Sequence, residues 1–232
     1  VRADGMVWHR AEALPASARM LTLLALYHGY SGGDDALLLR HFAKAKALAE
    51  WLAARRAASL RYGPDDPRHG IPEGGEDARR FVSPLAELTN AARLPRHWYA
   101  SAAEAYRAFT ELGRVWEQVG QAQGRQDVAA HGGELLRLAP LLYHDLHASL
   151  NKTVVATTSP SRRCWAVAAD PADAAAAPPA FRGFAELLWS GALSSQQADD
   201  LYVGAASARA CGAPRTLVLG SPALDGSRLE SV

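Results

Sequence analysis

Apolar residues recur at helical spacing along most of the chain. Ala18, Leu21, Leu24, Ala25 and His28 share one face of a first helix from about Pro15 to Tyr30. It stops at Ser31-Gly32-Gly33, and Asp34 or Asp35 can cap the next helix by accepting a backbone hydrogen bond. The second helix runs to about Leu60 with Leu38, Phe42, Ala45, Ala49 and Leu52 on one side and Arg40, Lys44 and Arg55 elsewhere. After Pro95 a third carries Ala102, Tyr106, Phe109, Leu112 and Trp116. A short break around Gly120 to Gly124 leads to a fourth with Leu135, Leu138, Leu142, Leu146 and Leu150, where Pro140 removes one helical hydrogen bond. A fifth helix is expected over Phe181 to Ser190. A sixth runs from Ser194 to about Ala210, opened by a Ser194/Gln197 capping box. The stretch Thr216-Leu217-Val218-Leu219 reads as extended.

The connections alternate in length. Helices one and two, three and four, and five and six are joined by short turns, and tight turns make consecutive helices antiparallel. The other two connections are long, residues 61–97 and 157–180. With every helix alternating in direction, the short turns gather at one end and the long loops at the other. Loops on one rim of a rigid scaffold are where binding and catalysis concentrate. The expected fold is therefore all-α: a single domain over residues 1–232, an incomplete (α/α) toroid of antiparallel helical hairpins. The absence of a fixed-period repeat argues against a solenoid.

Composition narrows the classes. Apolar residues make up 49% of 232, enough for a substantial core. The net charge of +1 leaves no footprint for nucleic acid and no polybasic membrane patch. No apolar run reaches the length of a membrane span. Cys164 and Cys211 fit neither a disulfide framework nor a zinc site and read as small hydrophobes. The one sequon, Asn151-Lys152-Thr153, falls near a helix end. The chain lacks an initiator Met and ends abruptly at Val232, so it is expected to be a fragment of something longer.

Candidate chemistry concentrates in Arg61 to Asp77. That stretch holds five carboxylates, a Tyr, a His and two Arg among four Gly and three Pro. Loops longer than about a dozen residues are uncommon in compact domains and are often functional. Tyr62-Gly63-Pro64-Asp65-Asp66-Pro67, followed by Gly70-Ile71-Pro72 and Glu76-Asp77, resembles the active-site loop of the six-hairpin glycosidases. His97-Trp98-Tyr99 leading into Arg107-Ala108-Phe109 and Leu112-Gly113 is similar to the same superfamily, as is Arg182 to Gly191. The likeness extends from about Leu24 to Leu219. It implies carbohydrate as partner, commonly hydrolysis with inversion, and a fold that continues for several more helices.

Glycoside hydrolysis usually needs two carboxyl groups, one to protonate the leaving oxygen and one to activate water or attack the sugar; a separation of roughly 6.5–9.5 Å predicts inversion. Asp66 and Glu76 are the first choices, with Glu73 and Asp77 next, and the partner carboxylate can come from elsewhere. Against this, Asp and Glu in Gly/Pro loops often cap turns or face water. Sugar faces stack on aromatic rings, which singles out Tyr62, Trp98, Tyr99 and Trp165 on the rim. Trp116, Trp189, Phe109 and Phe184 at helical spacing are expected in the core. His69 and His97 flank the acidic loop. Arg182 follows the second long loop and can bind sugar hydroxyls or a uronate carboxylate, or simply pair with Glu186 four residues on.

Two other readings remain open. A polysaccharide lyase on a similar toroid would use Tyr143 or His144 as base. His144 and His147 stand three apart, but no further metal ligand is evident. A non-catalytic helical carbohydrate- or protein-binding module would keep the rim aromatics without paired carboxylates. No phosphate-binding glycine fingerprint and no G-x-S-x-G elbow appear, so no cofactor is expected. A partial toroid would leave apolar surface open to self-association.

Overall fold

The computed structural model describes residues 8–9, 11–12, 14–74, 96–155, 164–165, 168–170 and 186–199. Four long helices dominate them: α1 (Leu14–Tyr30), α2 (Asp35–Ser59), α3 (Tyr99–Ala122) and α4 (Gln126–Lys152). Residues 186–189 and 195–199 are also helical. Strand among the described residues is limited to two antiparallel two-residue ladders, β1 (Trp8–His9) with β2 (Ala11–Glu12), and β3 (Val154–Val155) with β4 (Cys164–Trp165). The protein is thus mostly helical, as the apolar periodicity requires.

The helix ends follow local chemistry. Past Tyr30, Gly32 and Gly33 take positive φ (75° and 91°), which closes the turn. Asp34 then accepts from the Leu37 amide at 3.0 Å and starts α2. Gly124 (φ 65°) does the same service between α3 and α4. The Ser194/Gln197 capping box is present: the Gln197 amide donates to Ser194 Oγ at 3.3 Å and the Ser194 amide donates to Gln197 Oε1 at 3.0 Å. Pro140 lies inside α4, which continues through it.

Contacts along the helices give their directions. Gly120 meets Ala129, Gly113 meets Gly132 and Leu135, and Tyr99 meets Ser149 and Thr153, so α3 and α4 run antiparallel over their whole length. Phe42 meets His131 near the start of α2 and α4, and Arg56 meets Asp145 further along both, so those two helices run parallel. α1 packs chiefly on α3 and more lightly on α2. The turns also sort by end. Gln123, in the α3–α4 turn, donates to Asp35 beside the α1–α2 turn at 2.7 Å. At the opposite end, Ser149 and Lys152 of α4 donate to the carbonyls of Pro67 and Pro64 in the loop after α2.

The main core joins all four helices through Leu21, Leu38, Leu48, Leu52, Phe109, Leu112, Trp116, Leu135 and Leu142. Phe42 meets Trp116 edge-on at 5.1 Å. A second cluster lies under the long-loop end: Ile71, Tyr99, Ala102, Ala103, Leu146, Leu150, Ala169, Leu187 and Ala192. Trp116 and Phe109 are core residues as expected. Trp189 is not: it is 70% exposed, because the short helical stretch 186–189 turns Leu187 inward and leaves the indole outside. The expected Phe184 core position, the 216–219 strand and most of the fifth and sixth helices lie outside the described residues. So do the side chains of both cysteines.

The α3–α4 seam depends on missing side chains. A Cβ on Gly132 would lie 2.5 Å from the Glu117 amide nitrogen and 2.7 Å from the Gly113 carbonyl oxygen, so the helices would have to separate. The next residue, Gly133, has nothing within 4 Å of such a Cβ. Gly132→Ala should therefore destabilise by about 1–3 kcal/mol through overpacking. Gly133→Ala should stabilise by about 0.5–1 kcal/mol through helix propensity. Urea unfolding of the two variants checks the pair, and equal effects would refute the close approach.

Candidate functional site

The long-loop end is built around Tyr62 and His97. After Ser59 the chain makes successive turns, with the Asp66 amide donating to Gly63 O (2.9 Å), His69 to Asp66 O (3.1 Å) and Ile71 to Arg68 O (3.1 Å). Ile71 is fully buried and anchors the loop. Gly70 takes φ 72° and lies against the Asp145 carboxylate, where a Cβ would come within 2.1 Å of Oδ2. Gly74 and Arg96 then form an antiparallel bridge that returns the chain to His97. Trp98 bridges to Ala168, so both long connections arrive at the same place.

His97 joins the two. Its side chain is 2% exposed and its ring meets Tyr62 edge-on at 5.2 Å. Its backbone N–H donates to Asp170 Oδ2 (2.8 Å), and Nδ1 lies 3.1 Å from Asp170 Oδ1. A carboxylate only accepts, so Nδ1 carries the proton in that bond. Burial alone would push the Asp170 carboxyl up, but the hydrogen bonds and charge of His97, with Arg68 nearby, bring it below the usual carboxylate range. His97 Nε2 and Trp98 Nε1 are buried with no hydrogen-bond partner. Asp170 is a partner of His97 that sequence reading missed, since nothing local links it to a histidine 73 positions away.

The loop carboxylates differ from one another. Asp66 accepts from the Arg68 amide (2.8 Å), Nε (3.0 Å) and Nη2 (2.7 Å). The Arg68 side chain is the main reason its pKa falls to about 2, against the opposing effect of partial burial. An acid held so low is ionised at neutral pH and cannot serve as a proton donor there, so Asp66 ties the loop together. Glu73 has one guanidinium partner, Arg61 at 3.1 Å, and a side chain 32% exposed. Glu76, Asp77 and Arg182 lie outside the described residues.

The expected sugar contacts also separate. The Tyr62 ring lies under Arg68 (4.1 Å) and Arg61 (4.9 Å), and its hydroxyl accepts from Arg61 at 2.9 Å. His69 turns back into the loop, donating from Nδ1 to Tyr62 O at 2.7 Å. Trp98 is partly buried with Arg96 5.7 Å over its ring. Tyr99 faces the core at 0% exposure, where Ser149 (3.0 Å) and Thr153 (2.7 Å) take its hydroxyl and burial pushes its pKa up to about 12. A substrate contact expected at Tyr99 does not match that placement, because the first turn of α3 faces the ring toward Ser149 and Thr153 of the facing helix end. Trp165 belongs to β4, paired with Val154.

The helix-four cluster serves the scaffold. His147 donates from Nε2 to Ala192 O (2.7 Å) and accepts from Gln197 on Nδ1 (3.1 Å), which docks residues 192–197. Tyr143 packs on its ring at 4.2 Å. The His144 side chain points out, 82% exposed, and Asp145 pairs with Arg56. Among the described residues no group of three His, Cys, Asp or Glu is placed to hold a metal ion.

A second polar cluster was not foreseen. Arg19 of α1 donates from Nε to Glu104 Oε1 of α3 at 3.0 Å and from Nη2 to Glu186. Glu186 therefore has a partner 167 positions away, instead of only the local Arg182 pairing the spacing allowed. Glu104 is 4% exposed, and burial pushes its carboxyl up against the pull of Arg19. The small residues around it on α3, Ala100, Ala103 and Ala108, are the sequence signal of a closely approached helix.

No family model, no curated protein and no solved structure matches this chain.

The Asp66 shift makes a test. A carboxyl lowered in the folded state contributes stability that is complete above its unfolded value, 3.8, and is lost as pH falls toward about 2. Asp66→Asn should be less stable than the parent at pH 7 by about 1 kcal/mol, a modest figure because the pair is partly solvent-screened. The difference should shrink as pH drops from about 4 to 2. Denaturant melts across that window measure it, and a constant difference would contradict the assigned Arg68 pairing.

Proposed function

We propose that this chain forms an arc of an (α/α) toroid of the six-hairpin glycosidase kind and hydrolyses glycosidic bonds with carboxylates on its rim. What supports the toroid is the order of packing. α1 and α3 pack on each other, α2 and α4 run parallel, and each hairpin is antiparallel within itself. What carries the functional reading is the meeting of both long connections at His97, where Tyr62 from one and Asp170 from the other touch the same ring.

In this reading Asp66 shapes the loop. Glu73, with Glu76 and Asp77 just beyond it, supplies the acid or base, and Tyr62, His69, Trp98, Trp165 and Arg182 line the sugar site. One carboxyl protonates the departing oxygen while another activates water. The lyase reading has less support, since of its candidate bases Tyr143 packs on the His147 ring and the His144 side chain points out at 82% exposure. No helix among the described residues is long and apolar enough to cross a membrane. Self-association belongs to the same proposal. Met20, Leu23, Tyr27 and Tyr30 form an exposed stripe down α1 that a neighbouring hairpin or copy would cover.

Reducing-end release from a panel of neutral and uronate oligosaccharides tests the reading. Glu73→Gln and Glu76→Gln should each lower kcat/KM by about 10²-fold or more in at least one case. Unsaturated product would establish the lyase instead. Binding without turnover of any substrate would establish the non-catalytic module.

A further inference from the structure

His131 of α4 is a titratable side chain placed inside the main core. It is 7% exposed, between Phe42 of α2 and Trp116 of α3. The Phe42 ring meets it edge-on at 6.2 Å, and the Trp116 ring lies 5.5 Å away, tilted by 43°. Nδ1 faces the surface, 3.2 Å from Glu134 Oε2 on a side chain that is 49% exposed. A carboxylate only accepts, so Nδ1 carries the proton of the neutral ring and Nε2 carries a lone pair.

The inner edge of the ring is unpaired. His131 Nε2 is buried without a hydrogen-bond partner, and so is Trp116 Nε1. An indole N–H can only donate. The neutral cluster therefore holds one unpaired donor and one unpaired acceptor. Protonation turns that acceptor into a second buried donor, and neither Phe42 nor Trp116 offers an oxygen or nitrogen acceptor to receive it. Charged groups face the ring from two helices. Lys46 of α2 opposes the cation, while Glu134 of α4 and Glu50 of α2 favour it, and Lys46 and Glu50 pair with each other. From α3 the ring meets the uncharged Trp116. Burial first, and Lys46 second, hold the imidazole below its ordinary value of 6.5 against the pull of both glutamates.

A charged ring has to bring Nε2 to water, and the packing decides which neighbour yields. Gly132, the next residue, meets the backbone of α3 at Gly113 and Glu117 with no room for even a Cβ between them. That seam has no slack. α2 meets the ring through the Phe42 side chain, which can leave with its helix. The Arg56–Asp145 pair holds the far half of α2 to α4. Near its start α2 is tied to the α3–α4 turn by the exposed bond from Gln123 to Asp35.

We propose that His131 is an acid-sensitive latch between α2 and the α3–α4 hairpin: the neutral ring closes the joint, and its protonation releases the first half of α2. The latch stands whether or not the chain acts on sugars. A histidine held below its unfolded value leaves stability unchanged at high pH. As pH falls below 6.5 the unfolded chain takes up the proton first, and stability is lost until the folded ring titrates too.

Urea unfolding of the parent and His131→Leu between about pH 7.5 and about pH 5, with hydrogen exchange at both ends of that range, tests it. The unfolding constant of the parent should rise against that of His131→Leu by up to about tenfold per pH unit below 6.5. Glu134→Gln, at a half-exposed side chain, should enlarge the rise by removing a charge that favours the cation. After correction for the intrinsic pH dependence of exchange, amides of α2 from Leu38 to Lys46 should lose protection at the acid end. Those of α3 and α4 around Gly113 and Gly132 should keep it. The exchange data need no core substitution, so they decide the matter if His131→Leu does not fold. A constant ratio of unfolding constants would overturn the latch. A ratio that falls with acid would mean that the aromatic rings hold the cation, and would overturn it too. Equal loss of protection in all four helices would replace the latch with a uniform loss of stability.

Discussion

The ion pair between Arg56 and Asp145 governs where the loop after α2 can settle. Both side chains are about nine-tenths buried, with Arg56 Nε 2.9 Å and Nη2 2.6 Å from Asp145 Oδ2. Burying two charges costs several kcal/mol before their attraction is counted, so the pair holds only with close geometry, and removing one partner strands the other. It locks the C-terminal half of α2 to that of α4. The backbone of Gly70 lies directly on the Asp145 carboxylate, at a distance no side chain would allow. The path of the loop after α2 is thus set by a charge pair in the scaffold beneath it. Ile71 enters the second core from there, and the Gly74–Arg96 bridge delivers His97 to Tyr62.

The two ends of the hairpins are held by different forces. At the short-turn end, α3 and α4 meet closely through glycine and alanine, and Gln123 ties their turn to Asp35. At the long-loop end, side chains satisfy much of the described loop backbone. Ser149 and Lys152 donate to Pro67 and Pro64 carbonyls, and His69 to that of Tyr62. Substitutions in the first region act on stability alone. Those in the second change the path of the loop, because each removes a tie that holds it to the helices.

Most of the scaffold was legible in the sequence because it rests on local signals. Apolar spacing located α1 to α4, Asp34 and the Ser194/Gln197 box marked helix starts, and the glycines marked the turns. Loop length alone implied that the long connections share an end, and His97 touching both Tyr62 and Asp170 fits that inference. What stayed hidden depends on pairing across the chain. Asp66 looked like a candidate acid until Arg68 was seen to occupy it, and the Arg19 partner of Glu186 lies 167 positions away. Tyr99 and Trp189 exchanged their expected places for a related reason. A side chain beside a loop faces inward or outward according to the helix phase, and a few residues of periodicity at a helix end do not determine that phase.

Asp66 and Glu104 show why residue type alone does not locate an acid. Both carboxylates accept from an arginine. Asp66 does so at the loop surface, where the guanidinium and a backbone N–H outweigh slight burial and the pKa falls to about 2. Glu104 does so under α1, where loss of water outweighs the guanidinium and the neighbouring Glu186 adds repulsion, so its proton is held more tightly. Among the described carboxyls with a shifted pKa, only Glu104 moves toward the protonated form. Acid–base chemistry works by setting two carboxyl groups apart in this way, one in a polar and one in a desolvated setting. In this fold the difference arises between a loop and a helix–helix contact, two places that no stretch of sequence joins.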